Sequence, residues 1–93
     1  MPALMRIRQA IRDQRYRISG HANEEMSEDN LLAEDVESAI LSGQVQRKYT
    51  HDPRGTRYEI VGETMDGRQA YVICRFLGSG ILQIITAYVP EVL

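Results

Sequence analysis

From Thr56 to Pro90 apolar positions dominate, and the pattern breaks at Asp66-Gly67 and again at Leu77-Gly78-Ser79-Gly80. The runs between are rich in β-branched and aromatic residues and alternate with period two, so they predict three strands near 57–64, 69–76 and 81–89. Asp-Gly between two such runs suits the two-residue type I′ turn of a hairpin, whose central positions need positive φ. With Met65 and Arg68 flanking that turn, Gly62 falls opposite Tyr71, Ile60 opposite Ile73 and Tyr58 opposite Arg75. Pairing Tyr71 with Thr86 across the second hairpin adds Leu82, Ile84, Thr86 and Tyr88 to the same face. The opposite face then reads Val61, Ala70, Val72, Cys74, Phe76, Ile85, Ala87 and Val89. It is the more apolar of the two and is expected to face the helices, although Arg57, Glu59 and Gln83 share its parity.

Upstream the period changes to that of helices. Leu4, Ile7, Ala10 and Ile11 recur at helical spacing between Pro2 and Asp13, with Arg6, Arg8, Gln9 and Arg12 on the other side. Tyr16-Arg17-Ile18 reads as a short extended link. Ser19 is a good N-cap for a second helix from Gly20 to about Asp29, with Glu24 and Glu25 near its first turn. A third helix from Ala33 to Ser42 buries Val36, Ala39 and Ile40, and Gly43 stops it. Val45 to Tyr49 makes an edge strand, and His51-Asp52-Pro53-Arg54-Gly55 a loop. Helices followed by a meander predict one α+β domain over residues 1–93, with two to three N-terminal helices on one face of a four-stranded, mainly antiparallel sheet.

A chain of 93 residues that is 43% hydrophobic is large enough for a core without metal or disulfide support. The single Cys74 fits a reducing, cytoplasmic setting. No apolar run suits a membrane span, and residues 1–17 lack the apolar stretch of a secretory signal. The net charge of −2 is less informative than its distribution. Residues 1–17 hold five arginines against Asp13, residues 23–37 hold seven acids and no base, and residues 44–75 hold six bases and four acids. An acidic helix surface that solvates the domain fits this pattern; so does a basic sheet surface for phosphates with the acids turned away or docked on a basic partner.

His21 follows a capped helix start, where the positive end of the dipole disfavours the imidazolium and leaves a neutral ring usable as a general base. A histidine that simply donates to a carbonyl at the helix–sheet junction is the commoner arrangement for such a residue and also fits. Arg75, Tyr71, Tyr58, Thr86 and Tyr88 share a face in the register above. Such a guanidinium among hydroxyls suits a phosphodiester and tyrosines suit unpaired bases, but the same residues also make an ordinary amphipathic sheet surface. Two separated histidines and one strand cysteine lack metal-ligand spacing, so neither metal nor cofactor is expected.

The ordered series Ser19-Gly20-His21-Ala22, Met26, Asp35-Val36-Glu37-Ser38-Ala39-Ile40, Gly43, Arg57-Tyr58, Gly67-Arg68 and Ile85-Thr86-Ala87-Tyr88-Val89-Pro90 resembles a small bacterial domain-of-unknown-function family. The resemblance spans roughly residues 16–90. Its members are similar to compact ribonucleases of the RelE/barnase/EndoU class, some of them toxins paired with antitoxins. The resemblance implies a cytoplasmic, metal-independent endoribonuclease with RNA or the ribosome as target and a zinc-finger or helix-turn-helix antitoxin as partner. It implies catalytic roles for His21, Arg75, Tyr88 and Tyr71 and substrate contacts from Arg57, Tyr58, Arg68 and Thr86. Family members commonly carry Arg where this chain has Glu25 and Asp29, and His where it has Tyr71, which implies weakened catalysis or a non-catalytic protein- or RNA-binding module. Parity in the expected register sets Arg57 and Arg75 on opposite faces, whereas His21 and Tyr88 are expected to be neighbours.

Overall fold

The computed structural model describes residues 1–91 and has the order α1 (Ala3–Arg12), β1 (Tyr16–Ile18), α2 (Gly20–Glu28), α3 (Ala33–Ser42), β2 (Gln44–Tyr49), β3 (Arg57–Glu63), β4 (Gln69–Phe76) and β5 (Leu82–Tyr88). The sheet has five strands in the order β1-β5-β4-β3-β2. The link expected at Tyr16-Arg17-Ile18 is a strand, parallel to β5 with Arg17 beside Gln83. The sheet is therefore mixed and five-stranded, because the N-terminal helix returns the chain along the free edge of β5. Among the described residues no helix is long and apolar enough to cross a membrane.

The α+β architecture follows the hydrophobic periods. Ile7, Ala10 and Ile11 of α1, Ala22 and Met26 of α2, and Val36, Ala39 and Ile40 of α3 are buried against Ile60, Ala70, Val72, Cys74, Leu82, Ile84 and Ala87 of the sheet. Burial pushes the Cys74 thiol up to about 12, so it packs as a small apolar side chain. Ser19 works at both ends of its junction: its amide donates to Ile84 O at 3.0 Å, its hydroxyl donates to Ile85 O at 3.0 Å and also accepts from the Ala22 amide at 3.1 Å. The same residue thus ends the β1–β5 ladder and starts α2.

The strand boundaries agree with the sequence pattern, but both registers differ. The first hairpin turns through Met65-Asp66-Gly67: the Thr64 amide donates to Arg68 O, the Gly67 amide donates to Thr64 O, and Gly67 has φ +85°. This is a three-residue loop with a left-handed glycine, not a two-residue type I′ turn. The extra residue shifts the pairing by one, so Gly62 lies opposite Ala70, Ile60 opposite Val72 and Tyr58 opposite Cys74. Tyr58 and Ile60 consequently face the helices, and Arg57, Glu59 and Val61 face away. In the second hairpin Tyr71 pairs with Tyr88, not Thr86, and a register shift between Ile73 and Cys74 leaves Ile85 without an opposite residue. That bulge turns Leu82 and Ile84 into the core while Thr86 and Tyr88 stay on the far face.

Two glycines set how closely α3 lies on β3. Gly43 ends α3 in extended geometry (φ −90°, ψ −174°), not as a left-handed C-terminal cap. A Cβ there would lie 2.5 Å from Ala39 O and meet the Val61 carbonyl. On β3, Gly62 faces the same turn of the helix.

Arg68, expected at a substrate contact, clips the first hairpin to the end of α2. Its guanidinium donates to Asp29 O at 2.7 Å, to Asn30 O at 3.1 Å and to the Asp66 carboxylate at 3.0 Å. Asp35 braces the same junction, accepting the amides of Leu32 at 2.9 Å and Met65 at 3.0 Å. Arg68→Ala is expected to lower stability by about 1.5–3 kcal/mol, the range for hydrogen bonds made by charged groups. The urea midpoint should fall with the slope unchanged, and Arg68→Lys should recover little, because an ammonium lacks the fork that spans three acceptors.

Candidate functional site

One face of the sheet is covered by helices and the other is open. The observed pairings lay the open-face side chains in three transverse rows, successive rows about 7 Å apart along the strands. The first crosses the whole sheet: Tyr49, Arg57, Arg75, Gln83 and Arg17. The second contains Arg47, Glu59, Ile73 and Thr86, and the third Gln44, Val61, Tyr71 and Tyr88.

The arginine row comes together around Asp52 of the β2–β3 loop. Arg57 Nε lies 3.2 Å and Arg75 Nη1 3.3 Å from the same carboxylate oxygen, Asp52 Oδ2. Asp52 Oδ1 accepts the Arg54 amide at 2.9 Å and lies 3.4 Å from Arg54 Nε. The amide bond from Arg54, then the Arg54 and Arg75 guanidiniums, hold the Asp52 carboxyl below its ordinary range against the opposing effect of burial. Like charges facing each other across strands repel, and one carboxylate shared by three guanidiniums relieves that repulsion while leaving a local positive excess. The Arg57 guanidinium carbon also stands 4.9 Å from the centre of the Tyr49 ring. Beside this cluster an open cavity of about 640 Å³ is lined by Lys48, Tyr49, His51, Asp52, Arg54 and Arg57.

At the other end of the face Tyr71 and Tyr88 stack, ring centres 5.5 Å apart and planes 20° apart. Burial chiefly, then the Glu59 carboxylate and the neighbouring Tyr71, Glu25 and Tyr49, push the Tyr88 phenol above its ordinary range. Its hydroxyl therefore stays a donor throughout the neutral range. Glu59 lies between the arginines and this stack, 8% exposed as a residue, with Arg47 Nε 3.9 Å from its carboxylate. A carboxylate with one long ion pair, facing tyrosines on one side and guanidiniums on the other, has acceptor capacity to spare.

Of the residues singled out in the sequence, the structure gathers Arg57, Arg75, Tyr71, Thr86 and Tyr88 on the open face. Arg57 and Arg75 share it because the three-residue turn reversed the parity of β3. Tyr58 is not among them; it is buried against the helices with the Lys48 ammonium 6.0 Å from the centre of its ring. Arg68 is held in its clip. His21 is exposed on the first turn of α2, its Nε2 3.3 Å from Glu25 Oε1. Glu25 Oε1 also accepts the Ala87 amide at 3.3 Å, and Asp29 Oδ2 accepts the Val89 amide at 2.8 Å. Glu25 thus stands between His21 and the strand that carries Tyr88. These two acids satisfy the part of the β5 edge that β1 is too short to pair, a task that arginine, which has no acceptor, could not perform.

Asp52 and Glu59 escaped the sequence reading. Asp52 sat in a loop defined by composition alone, and Glu59 looked like a misplaced charge on a core face. The signal in the sequence was the alternation Arg57-x-Glu59 in an otherwise apolar run, which marks the solvent side of β3.

A family model matches residues 18–89, and the chain belongs to that family, described as domain of unknown function (DUF4258). The matched span includes His21 and the open-face residues of β3, β4 and β5, and excludes α1. No curated protein and no solved structure matches the chain.

Proposed function

We propose that this DUF4258 domain is a metal-independent endoribonuclease that takes single-stranded RNA across the open face of its sheet, as the resemblance to RelE/barnase/EndoU-like toxins implies. The observation that carries the reading is the placing of Glu59 between the arginine row and the Tyr71–Tyr88 stack. Unpaired bases rest on the tyrosines, since stacking tolerates any base, and the backbone crosses towards Arg57, Arg75 and Arg17. Glu59 takes the proton of a ribose 2′-hydroxyl, the 2′ oxygen attacks the adjacent phosphorus, and the bond from phosphorus to the 5′ oxygen breaks. The leaving oxygen collects a proton from the Tyr88 phenol, and afterwards Glu59 releases the proton it took to water while Tyr88 regains one from water; the arginines balance the charge that builds on the non-bridging oxygens. The products are a 2′,3′-cyclic phosphate and a 5′-hydroxyl. In this reading the base is Glu59, and the exposed His21 meets the strand where it passes over the β5 edge.

A second reading, binding of RNA without cleavage, is favoured by one observation: Asp52 already occupies Arg57 and Arg75, and a phosphate must displace it. Incubation of the purified protein with a 5′-labelled single strand in EDTA separates the two. The expected result is cleavage to cyclic-phosphate ends, with a fully 2′-deoxy strand bound but uncut. Binding without cleavage supports the second reading. Absence of both, or binding whose affinity is insensitive to salt, overturns both.

A further inference from the structure

Among the described residues the large apolar side chains left exposed are Met1 ahead of α1, Met5 on α1, Leu32 and Leu41 at the two ends of α3, and Met65 in the first hairpin, none of them in the three rows of the open sheet face. Met65, at 73% exposure, stands across from Leu41 of α3 over a cavity of about 490 Å³ whose rim carries Glu34 and Glu37. Its floor is held by Ser38, whose hydroxyl donates to Glu63 O at 2.8 Å. Beside it lies α1, with three arginines and no acid between Ala3 and Arg12. Arg8 donates to Ile40 O at 3.3 Å and Gly43 O at 2.7 Å, whereas Gln14 reaches Glu37 further back along α3 at 3.3 Å. The two helices therefore run antiparallel, and helical spacing puts the exposed Met5 and Arg12 on the same side of α1 as Arg8, the side that adjoins α3. Among the described residues neither Arg12 nor Glu34 forms an ion pair.

We infer that this helical surface is a self-association surface, on which α1 of one copy of this chain docks between α3 and the first hairpin of a second copy. Arg6 stands over the Phe76 ring and Arg8 is bound to α3, so the exposed side of α1 offers Met5 and Arg12; these complement a groove walled by Leu41 and Met65 and rimmed by acids, and charge-rimmed apolar patches mark contact surfaces. Both halves lie side by side on one surface, so a two-fold axis sets each against its complement twice. This arrangement leaves the open sheet face free. The α1 half of the contact lies outside residues 18–89, the span matched by the family model.

Sedimentation velocity over a concentration series tests the inference. The expected result is a monomer–dimer equilibrium that Leu41→Glu abolishes, with circular dichroism showing the fold retained. Arg12→Glu and Glu34→Arg singly should each raise the dissociation constant about tenfold or more, and the two combined in one chain should restore it, because the reversed charges meet again across the axis. A monomer at every concentration, or a dimer indifferent to Leu41→Glu, overturns the inference. So does a monomer whose groove binds a basic amphipathic peptide, since the occupant is then a foreign partner.

Discussion

Gly62→Ala is expected to be the most destabilising single methyl addition in the molecule. An added Cβ would lie 2.7 Å from the carbonyl carbon of Ala39 and 2.9 Å from the α-carbon of Gly43, and closer still to the Ala39 oxygen. All of these are backbone atoms, so no rotamer change relieves the contact, and α3 must lift from β3 along its last turn. Overpacking a well-packed interior costs about 1–3 kcal/mol when side chains can adjust. With backbone on both sides the loss should reach about 3 kcal/mol or more, a large part of the roughly 5–15 kcal/mol that holds a domain folded. Gly78→Ala is the control: nothing lies within 4 Å of its Cβ and its φ is not positive, so its denaturation midpoint should stay near that of the parent chain. Equal midpoints for the two variants would show that α3 does not pack on β3 as described.

Glu59→Gln should have the largest effect on chemistry. The amide keeps the shape and position of the carboxylate but cannot take the proton of a 2′-hydroxyl. Removing a general base costs about 10²–10⁴ in rate. Single-turnover cleavage should fall by that factor, while RNA affinity, measured by fluorescence anisotropy, stays equal or rises as one negative charge leaves the basic face. Arg75→Ala should do the opposite to affinity, lowering it and flattening its salt dependence, because a phosphate contact is lost. Cleavage unchanged in Glu59→Gln but absent in His21→Ala would return the base to the helix, and the mechanism proposed for the sheet face would fall.

The acids of α2 show how a sequence can mislead about charge. In the sequence Glu25 and Asp29 look like charges that repel RNA beside His21. In the fold they accept the amides of Ala87 and Val89 along the edge of β5, so replacing them would uncover a strand edge before it improved any binding surface. Nothing local marks a carboxylate as an edge cap when the edge is sixty residues away. Arg68 is similar. It adjoins the hairpin turn in sequence, but its acceptors, Asp29 O and Asn30 O, belong to the end of α2.

By itself the sequence determined what short-range physics controls. Leu4, Ile7, Ala10 and Ile11 at helical spacing set α1, the Ser19 hydroxyl starts α2, and the β-rich runs on either side of Asp66-Gly67 and Gly78-Ser79-Gly80 set three strands, because periods and caps act within a few residues. The membership of Ala70, Val72, Cys74, Phe76 and Ala87 in the helix-facing layer was legible for the same reason. Tertiary structure decided which of the remaining strand residues face each other. Gly67 in a three-residue turn shifted one pairing by a single residue and Ile85 bulged out of another; since strand side chains alternate, the first change turned β3 over and the second turned the Leu82–Ile84 half of β5. Those two changes moved Ile60, Leu82 and Ile84 into the core and set Arg57 and Glu59 on the open face beside Arg75, where Asp52 could gather the guanidiniums. The long-range pairing that fixes parity is settled only when the sheet closes against its helices.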